Sequence, residues 1–573
     1  MENSLTGYPS IDKPWLKYYT NEAINAPLPE CTIYESIYRS NKNHLSDIAL
    51  MYYGKKISYK VLFEQIDKTA KAFSALGVKN GDNVALCMPA VPETIYTVLA
   101  LNKIGANANM LNPTFTAEQL TDRINDTNAS VLVVINELYR LLETVIPNTG
   151  IKTVITCPAV NSLGAVVKII KKVKVIPNTL SWNKFIKGGK TAEIFVPPYK
   201  KDRPAIMVYS SGTTGASKGI QLTNNSINAT IREYQSDIYG FTRQERYFAQ
   251  IPIWFSTGIA VTMLVPLKYG VTVILEPVYD FSVFNEHISK YHPNYLITAA
   301  GLMNYLMSEH PYDPAYQAFN YICIGGEYVT EESEKKYNLW LGKNKCDTVL
   351  QKGYGMCECG GTITNTIRQN NILGSAGIPT PHVIVSAFDM QTGKELTYGK
   401  RGEIRVLTPC RMLGYYKNPE ATAKFFHTDE NGNVWACTGD MGYMTEDGCV
   451  FVCGRLNDSY INRQGEMVYL FDIERAVLDI PQVRQCKAVA SVVDGKTVHV
   501  CHTALDSITN KTEIIKRVFV HCTEKLPASH QPYLFMLYDD ALPVAPSGKL
   551  DIMNMQKMTE NLYDIRKENK TNG

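Results

Sequence analysis

The sequence predicts an α/β protein: a large amino-terminal domain of helix-covered, mostly parallel sheets, then a small α+β domain. Two observations carry this. From Leu45 onward short apolar runs alternate with amphipathic segments, the β–α–β rhythm of parallel sheets. After Phe451 the elements become smaller, and a chain of 573 residues exceeds what one core usually organises.

The elements follow in order. Asn83–Met88 and Ser130–Ile135 read as strands, with apolar residues at helical spacing from Val91 to Ile104 between them. The rhythm returns in Val271–Leu275 and in Asn320–Ile324, which runs into Gly325-Gly326. Beyond Phe451, Ala488–Val493 and Val498–Cys501 read as strands and Lys511–Lys525 as a helix. The polar run Gly454–Ser459 reads as a linker, so the boundary falls near residue 455, giving domains 1–455 and 456–573.

Composition narrows the function classes. Apolar residues make up 45% and charged residues 20%, as in ordinary globular proteins. The net charge of +3, with no basic stripe interleaved with aromatics, argues against nucleic acid as a partner. Met1–Thr20 carries Asp12, Lys13 and Lys17 and no signal-peptide core, and no run of apolar residues is long enough to span a bilayer. With no secretion signal, the fourteen cysteines point to a reducing cytoplasm. Cys357-x-Cys359 and Cys449-x3-Cys453 lack the paired knuckle of a zinc site and read as structural thiols. The lysine-rich Val166–Lys174 reads as a solvated segment rather than a membrane-surface helix.

The chemistry is concentrated in five motifs. Ser210-Ser-Gly-Thr-Thr-Gly-Ala-Ser-Lys218 follows the apolar run Ala205–Tyr209 and reads as a phosphate loop. Its glycines allow close backbone approach, its N–H groups and hydroxyls suit phosphate oxygens, and Lys218 adds positive charge. Its spacing is not that of a Walker loop. Gly353-Tyr-Gly-Met-Cys-Glu-Cys-Gly-Gly361 offers Tyr354 to stack on a base and Glu358 to hold Mg²⁺ through a hard oxygen. Asp440, in Trp435–Gly442, can accept hydrogen bonds from a ribose diol, and Arg455 is a second ribose or phosphate ligand. Pro543–Lys549 sets one lysine after a Pro/Gly turn.

In this order the motifs resemble the acyl-adenylate-forming superfamily of acyl-CoA synthetases, peptide-synthetase adenylation domains and luciferases. The resemblance covers roughly residues 30 to 560. Ser210–Lys218 matches the family's phosphate loop, Tyr354-Gly-Met-Cys-Glu358 its Tyr-Gly-x-Thr-Glu, Thr438-Gly439-Asp440 its Thr-Gly-Asp, and Pro543–Lys549 its carboxy-terminal lysine motif. It implies a β-barrel-like subdomain and a mobile lid carrying catalytic Lys549. It also implies a two-step reaction: ATP and Mg²⁺ convert a carboxylate to acyl-AMP, and a thiol of CoA, or of a carrier protein's phosphopantetheine, displaces AMP. ATP would then be bound by Ser210, Ser211, Gly212, Thr213, Thr214, Gly215, Lys218, Gly326, Glu327, Tyr354, Gly355, Met356, Cys357, Asp440 and Arg455. Glu358 and Thr213 would hold the metal, Glu358 also acting catalytically.

This chain departs from the pattern at particular residues. Cys357 stands where the family has Thr or Ser, a weaker donor to phosphate. Ala545 replaces a Thr, and Gln464 a glycine common beside the pantetheine channel. Counting from flanking anchors puts the hinge at Asn457 or Asp458, and the longer downstream anchor favours Asp458. Gln250–Gly258 matches the segment lining the acyl pocket, giving Trp254, Phe255, Ser256, Thr257, Gly258 and, further on, Gly301 as acid-binding residues. Amino-acid-activating relatives place an Asp where Ser256 stands; without it a buried ammonium is costly, so the expected acid lacks an α-amine. With only Leu550–Gly573 after Lys549, no carrier domain is expected on this chain. The other readings are a stand-alone carrier-loading ligase and a non-catalytic nucleotide-binding scaffold.

Overall fold

The computed structural model describes residues 5–163, 175–210, 217–235, 239–464, 466–505, 510–544 and 550–568. The lysine-rich Val166–Lys174, loop residues Ser211–Ala216 and Lys549 lie outside them. Two compact units are distinguished. One comprises residues up to Ser386, Arg405–Cys437 and Met444–Phe451; the other comprises Ala387–Ile404, Thr438–Tyr443 and the chain from Val452.

The larger unit contains two sheets. In the first, Asn83–Cys87, Asn107–Met110, Val131–Ile135, Thr153–Cys157 and Pro204–Tyr209 are parallel neighbours. Val131–Ile135 is buried throughout, the pattern of a parallel strand covered on both faces. Pro92–Ile104 is buried on nearly every face, starts with Pro at its first turn and stops at Gly105 (φ 78°). A side chain at Gly105 would also meet Asn80 at 2.4 Å, so glycine serves both the stop and the packing.

Pro204–Tyr209 is an interior strand, and the loop after it is not a strand-to-helix turn. It returns antiparallel as Gly219–Thr223, with Tyr209 opposite Gly219, so the phosphate-loop sequence tips a hairpin. The short strand Gly414–Tyr415 then pairs beyond Gly219–Thr223.

The second sheet positions the remaining motifs. Arg246–Ala249, Tyr295–Thr298, Tyr321–Gly325 and Leu350–Tyr354 are parallel neighbours in that order. Their carboxyl ends therefore lie along one edge, where open α/β sheets bind ligands. That edge carries Gln250–Gly258, Ala299–Gly301, Gly326-Glu327 and Tyr354–Glu358.

Strands Ile384–Phe388, Gly402–Leu407, Phe426–Thr428, Val434–Met444 and Val450–Arg455 form a five-stranded sheet. The resemblance implies a barrel-like subdomain, and the pairing among the described residues shows no closure of this sheet into a barrel. The smaller unit is α+β: Val483–Val493, Lys496–Leu505, Leu534–Tyr538 and Tyr563–Asp564 form a sheet on which Leu470–Leu478 and Lys511–Lys525 pack. All fourteen cysteines are free thiols, and only Cys346, Cys357 and Cys437 are even partly exposed. No helix among the described residues is long and apolar enough to cross a membrane.

Candidate active site

In the larger unit, the neck of the phosphate loop is closed by three hydrogen bonds. The Ser210 N–H donates to the Lys218 carbonyl (3.1 Å), the Lys218 N–H to Ser210 Oγ (3.0 Å), and Ser217 Oγ to the Ser210 carbonyl (2.7 Å). Ser211, Gly212, Thr213, Thr214 and Gly215 are the part outside the described residues. Lys218 Nζ stands 5.3 Å above the centre of the Tyr415 ring, within cation–π range.

Tyr415 continues to the second motif. Its hydroxyl donates to Glu358 Oε1 at 2.9 Å, and the Met412 N–H donates to the Glu358 carbonyl at 2.7 Å. Glu358 is 8% exposed and sits in a single 3-10 turn, Cys357–Cys359, ended by Gly360 and Gly361 at φ 71° and 94°. The backbone doubles back so closely that a Cβ at Gly355 would lie 2.5 Å from the Gly361 carbonyl oxygen. Tyr354, Gly355, Met356 and Cys357 are half-buried around the turn. One Glu358 oxygen is thus held by a phenol, while the other makes no hydrogen bond among the described residues. A fixed carboxylate with a spare oxygen fits a hard cation such as Mg²⁺. Thr213, the other expected metal residue, lies outside the described residues.

The predicted acid-binding segment packs against this turn. A Cβ at Gly361 would come within 3.2 Å of the backbone of Thr257. Thr257–Leu264 is a π-helix, a form concentrated at functional sites. Gly258 is required there because a side chain would drive into the Pro252 carbonyl at 2.0 Å. Trp254, Phe255 and Thr257 are half-buried, whereas Ser256 is fully buried and its Oγ has no hydrogen-bond partner among the described residues. Gly301 lies beside the Phe281 ring, 3.3 Å from where its Cβ would stand. Glu327 accepts the Ala300 N–H, tying the residue after Gly326 (φ 81°) to the first turn of Ala300–Glu309. The structure thus gives Glu327 a helix-end contact that its motif did not signal.

The smaller unit holds the other predicted residues. Arg455 Nε is 3.0 Å from Asp440 Oδ1 and its Nη1 donates to the Thr438 carbonyl. Thr438 in turn donates to the Ile404 carbonyl and accepts from the Asp440 N–H, which fixes the turn through Gly439 (φ 69°). Asp440 is buried, while the Arg455 side chain is mostly exposed. Asp458 Oδ2 accepts from Lys487 Nζ at 2.7 Å, and its N–H donates to the Arg455 carbonyl. Lys549 lies outside the described residues.

Residues 37–416 match the family described as AMP-binding enzyme. The chain belongs to that family. The resemblance read from the motifs is borne out, and with it the reaction class of an AMP-forming acid–thiol ligase. The long-chain-fatty-acid–CoA ligase of Bacillus subtilis (strain 168) is 27% identical over 511 residues, covering 85% of this chain and 88% of that protein. The ligase of the same name from Yersinia pestis is 25% identical over 569 residues, covering 94% and 97%. In fold, ATP-bound MatB from Rhodopseudomonas palustris matches with a TM-score of 0.78 at 21% identity, covering 93% of this chain and 99% of that one. The anthranilate CoA ligase AuaEII, in complex with anthranoyl-AMP, matches at 0.76 and 20% identity, covering 93% and 98%.

Sequence reasoning missed Tyr415. Its signal was available in Gly414-Tyr-Tyr-Lys417, which ends at the Asn418 cap and Pro419 start of Pro419–Phe425.

Proposed function

We propose that this AMP-binding enzyme activates a carboxylic acid with ATP and transfers the acyl group to CoA. In the first step a carboxylate oxygen attacks the α-phosphorus of ATP, the bond to the β-phosphate oxygen breaks, and pyrophosphate leaves. In the second, the CoA sulfur attacks the acyl carbon and AMP departs. The observation that carries this reading is the convergence on one unit of the loop neck, Glu358 and the acyl segment, with Tyr415 touching both Lys218 and Glu358.

Each group has a task of its own. The 210–218 loop would hold the triphosphate through N–H groups and hydroxyls, with Lys218 adding charge. Glu358 would hold Mg²⁺, which when bound neutralises phosphate charge. Asp440, its carboxylate braced by Arg455, would take the ribose diol. Lys549 would stabilise charge developing at phosphorus, and Asp458 would act as hinge. The neutral, buried Ser256 favours an acid without an α-ammonium, and the long-chain-fatty-acid–CoA ligases among the relatives support an aliphatic chain. A cytoplasmic location accords with fourteen free thiols and with ATP and CoA as substrates.

The test is ATP–pyrophosphate exchange against a panel of aliphatic, aryl and amino acids. Exchange with an acid lacking an α-amine, then acyl transfer to CoA, is expected. Exchange only with amino acids, or transfer only to a phosphopantetheinyl carrier protein, would overturn the acid or acceptor assignment respectively. No exchange despite ATP binding would overturn both.

A further inference from the structure

We infer that Tyr415 is a positioning residue that sets the Glu358 carboxylate toward the metal and locks it to the phosphate loop. The inference rests on the reading of Glu358 as the Mg²⁺ ligand and deepens it.

The geometry points to this from three directions. The Tyr415 hydroxyl occupies Glu358 Oε1 at 2.9 Å, so the carboxyl group cannot turn freely and its second oxygen has a defined direction. The backbone of Tyr415 is pinned on both sides: it pairs with Ile220 just after the loop, and its N–H donates to Thr422 Oγ1 at 2.9 Å. The neighbouring Tyr416 N–H donates to the Gly219 carbonyl at 2.7 Å, and the Met412 N–H to the Glu358 carbonyl at 2.7 Å. Residues 412–416 therefore bracket the distance between loop exit and carboxylate, with the ring beneath Lys218 as a third link.

The bracket is rigid because its backbone has little slack. Gly414 has φ 156°, and a Cβ there would meet Thr422 Cγ2 at 2.9 Å. The Tyr415 ring also packs edge-on to Phe425, 5.9 Å between centroids.

The test compares Tyr415→Phe, Glu358→Gln and the double variant in the full-length protein. Phenylalanine keeps the ring against Phe425 and under Lys218, and the melting temperature checks that the fold is retained. Two readouts are taken: the Mg²⁺ concentration giving half-maximal pyrophosphate exchange, and Mn²⁺ binding in the presence of ATP, followed by the electron paramagnetic resonance of free Mn²⁺. Tyr415→Phe is expected to weaken both by about tenfold, the scale of one lost hydrogen bond to a charged group, with little change in KM for the acid. The double variant is expected to be no worse than Glu358→Gln, because the tyrosine acts through the carboxylate. Wild-type metal dependence in Tyr415→Phe beside an impaired Glu358→Gln would overturn the inference alone. Unimpaired metal binding in Glu358→Gln would overturn the metal reading and the inference with it. Additive losses in the double variant would mark Tyr415 as merely structural and overturn the inference.

Discussion

Lys487 Nζ lies 2.7 Å from Asp458 Oδ2, and 2.9 Å from Glu474 Oε1, with only 13% of the lysine side chain exposed. Burial opposes the ammonium, but the two carboxylates outweigh it and raise its pKa; burial raises that of Glu474. The proposed hinge residue is therefore anchored to the Val483–Val493 strand of its own unit.

Lys487→Met should leave two carboxylates facing each other without a cation. A loss of about 3 kcal/mol in unfolding free energy is expected near neutral pH, as when one partner of a buried pair is removed. Because the Glu474 carboxyl is raised in the fold, protonation favours the folded state, and the benefit is complete below its ordinary 4.5. Urea titrations should show the variant's deficit shrinking as pH falls toward 4.5. An equal deficit at both ends of that range would refute the electrostatic account.

The proposed role of Lys549 separates the two half-reactions. Lys549→Ala is expected to abolish ATP–pyrophosphate exchange while leaving thioester formation from supplied acyl-AMP and CoA largely intact. Parallel loss of both activities would sink the assignment of this lysine to adenylation.

Gly258→Ala tests the π-helix beside the acyl segment. The added methyl would stand 2.0 Å from the Pro252 carbonyl, a backbone contact with no flexible side chain to yield. A cost of about 3 kcal/mol is expected, the upper range for overpacking, together with a raised KM for the acid. A variant melting within a degree of the parent would show that the segment repacks freely.

Acid should weaken the smaller unit through its histidines. His502 is fully buried beside the Tyr538 hydroxyl (2.8 Å), and burial lowers its pKa from the ordinary 6.5 to about 4. Burial also lowers His499 and His530. Each folded-state pKa is depressed, so the unfolded chain takes up protons first. Stability from these neutral rings is present above pH 6.5 and is lost as pH falls toward 4. Urea midpoints should decline over that window, and His502→Gln should flatten the decline. An unchanged slope in the variant would rule His502 out as a source.

Much of the fold was legible because its signals are local. Pro92–Ile104 and Lys511–Lys525 emerged with nearly the bounds their periodicity predicts. Strand existence was read correctly, but two strands of the smaller unit, Val483–Val493 and Lys496–Leu505, run longer than their apolar cores, because the strands extend through exposed Arg484, Gln485, Lys496 and Thr497 and through the buried polar pair His502 and Thr503, none of which carries an apolar signal. The hairpin at the phosphate loop was also hidden. Pro204–Tyr209 looks the same whether the next strand is parallel or antiparallel.

By itself, the sequence determined the α/β class, the order of the motifs and the chemical types of the candidate residues, from Ser210 and Lys218 to Glu358 and Asp440. Those are properties of short stretches, where backbone freedom, charge and spacing act on near neighbours. Only the tertiary structure decided which atoms meet. The Tyr415 hydroxyl reaches Glu358 across 57 residues of chain, Lys487 reaches Asp458 across 29, and Glu327 turns back to the Ala300 N–H across 27. Such pairs leave no period or spacing to read, because sheet pairing and core packing, not local conformation, set the distance between them.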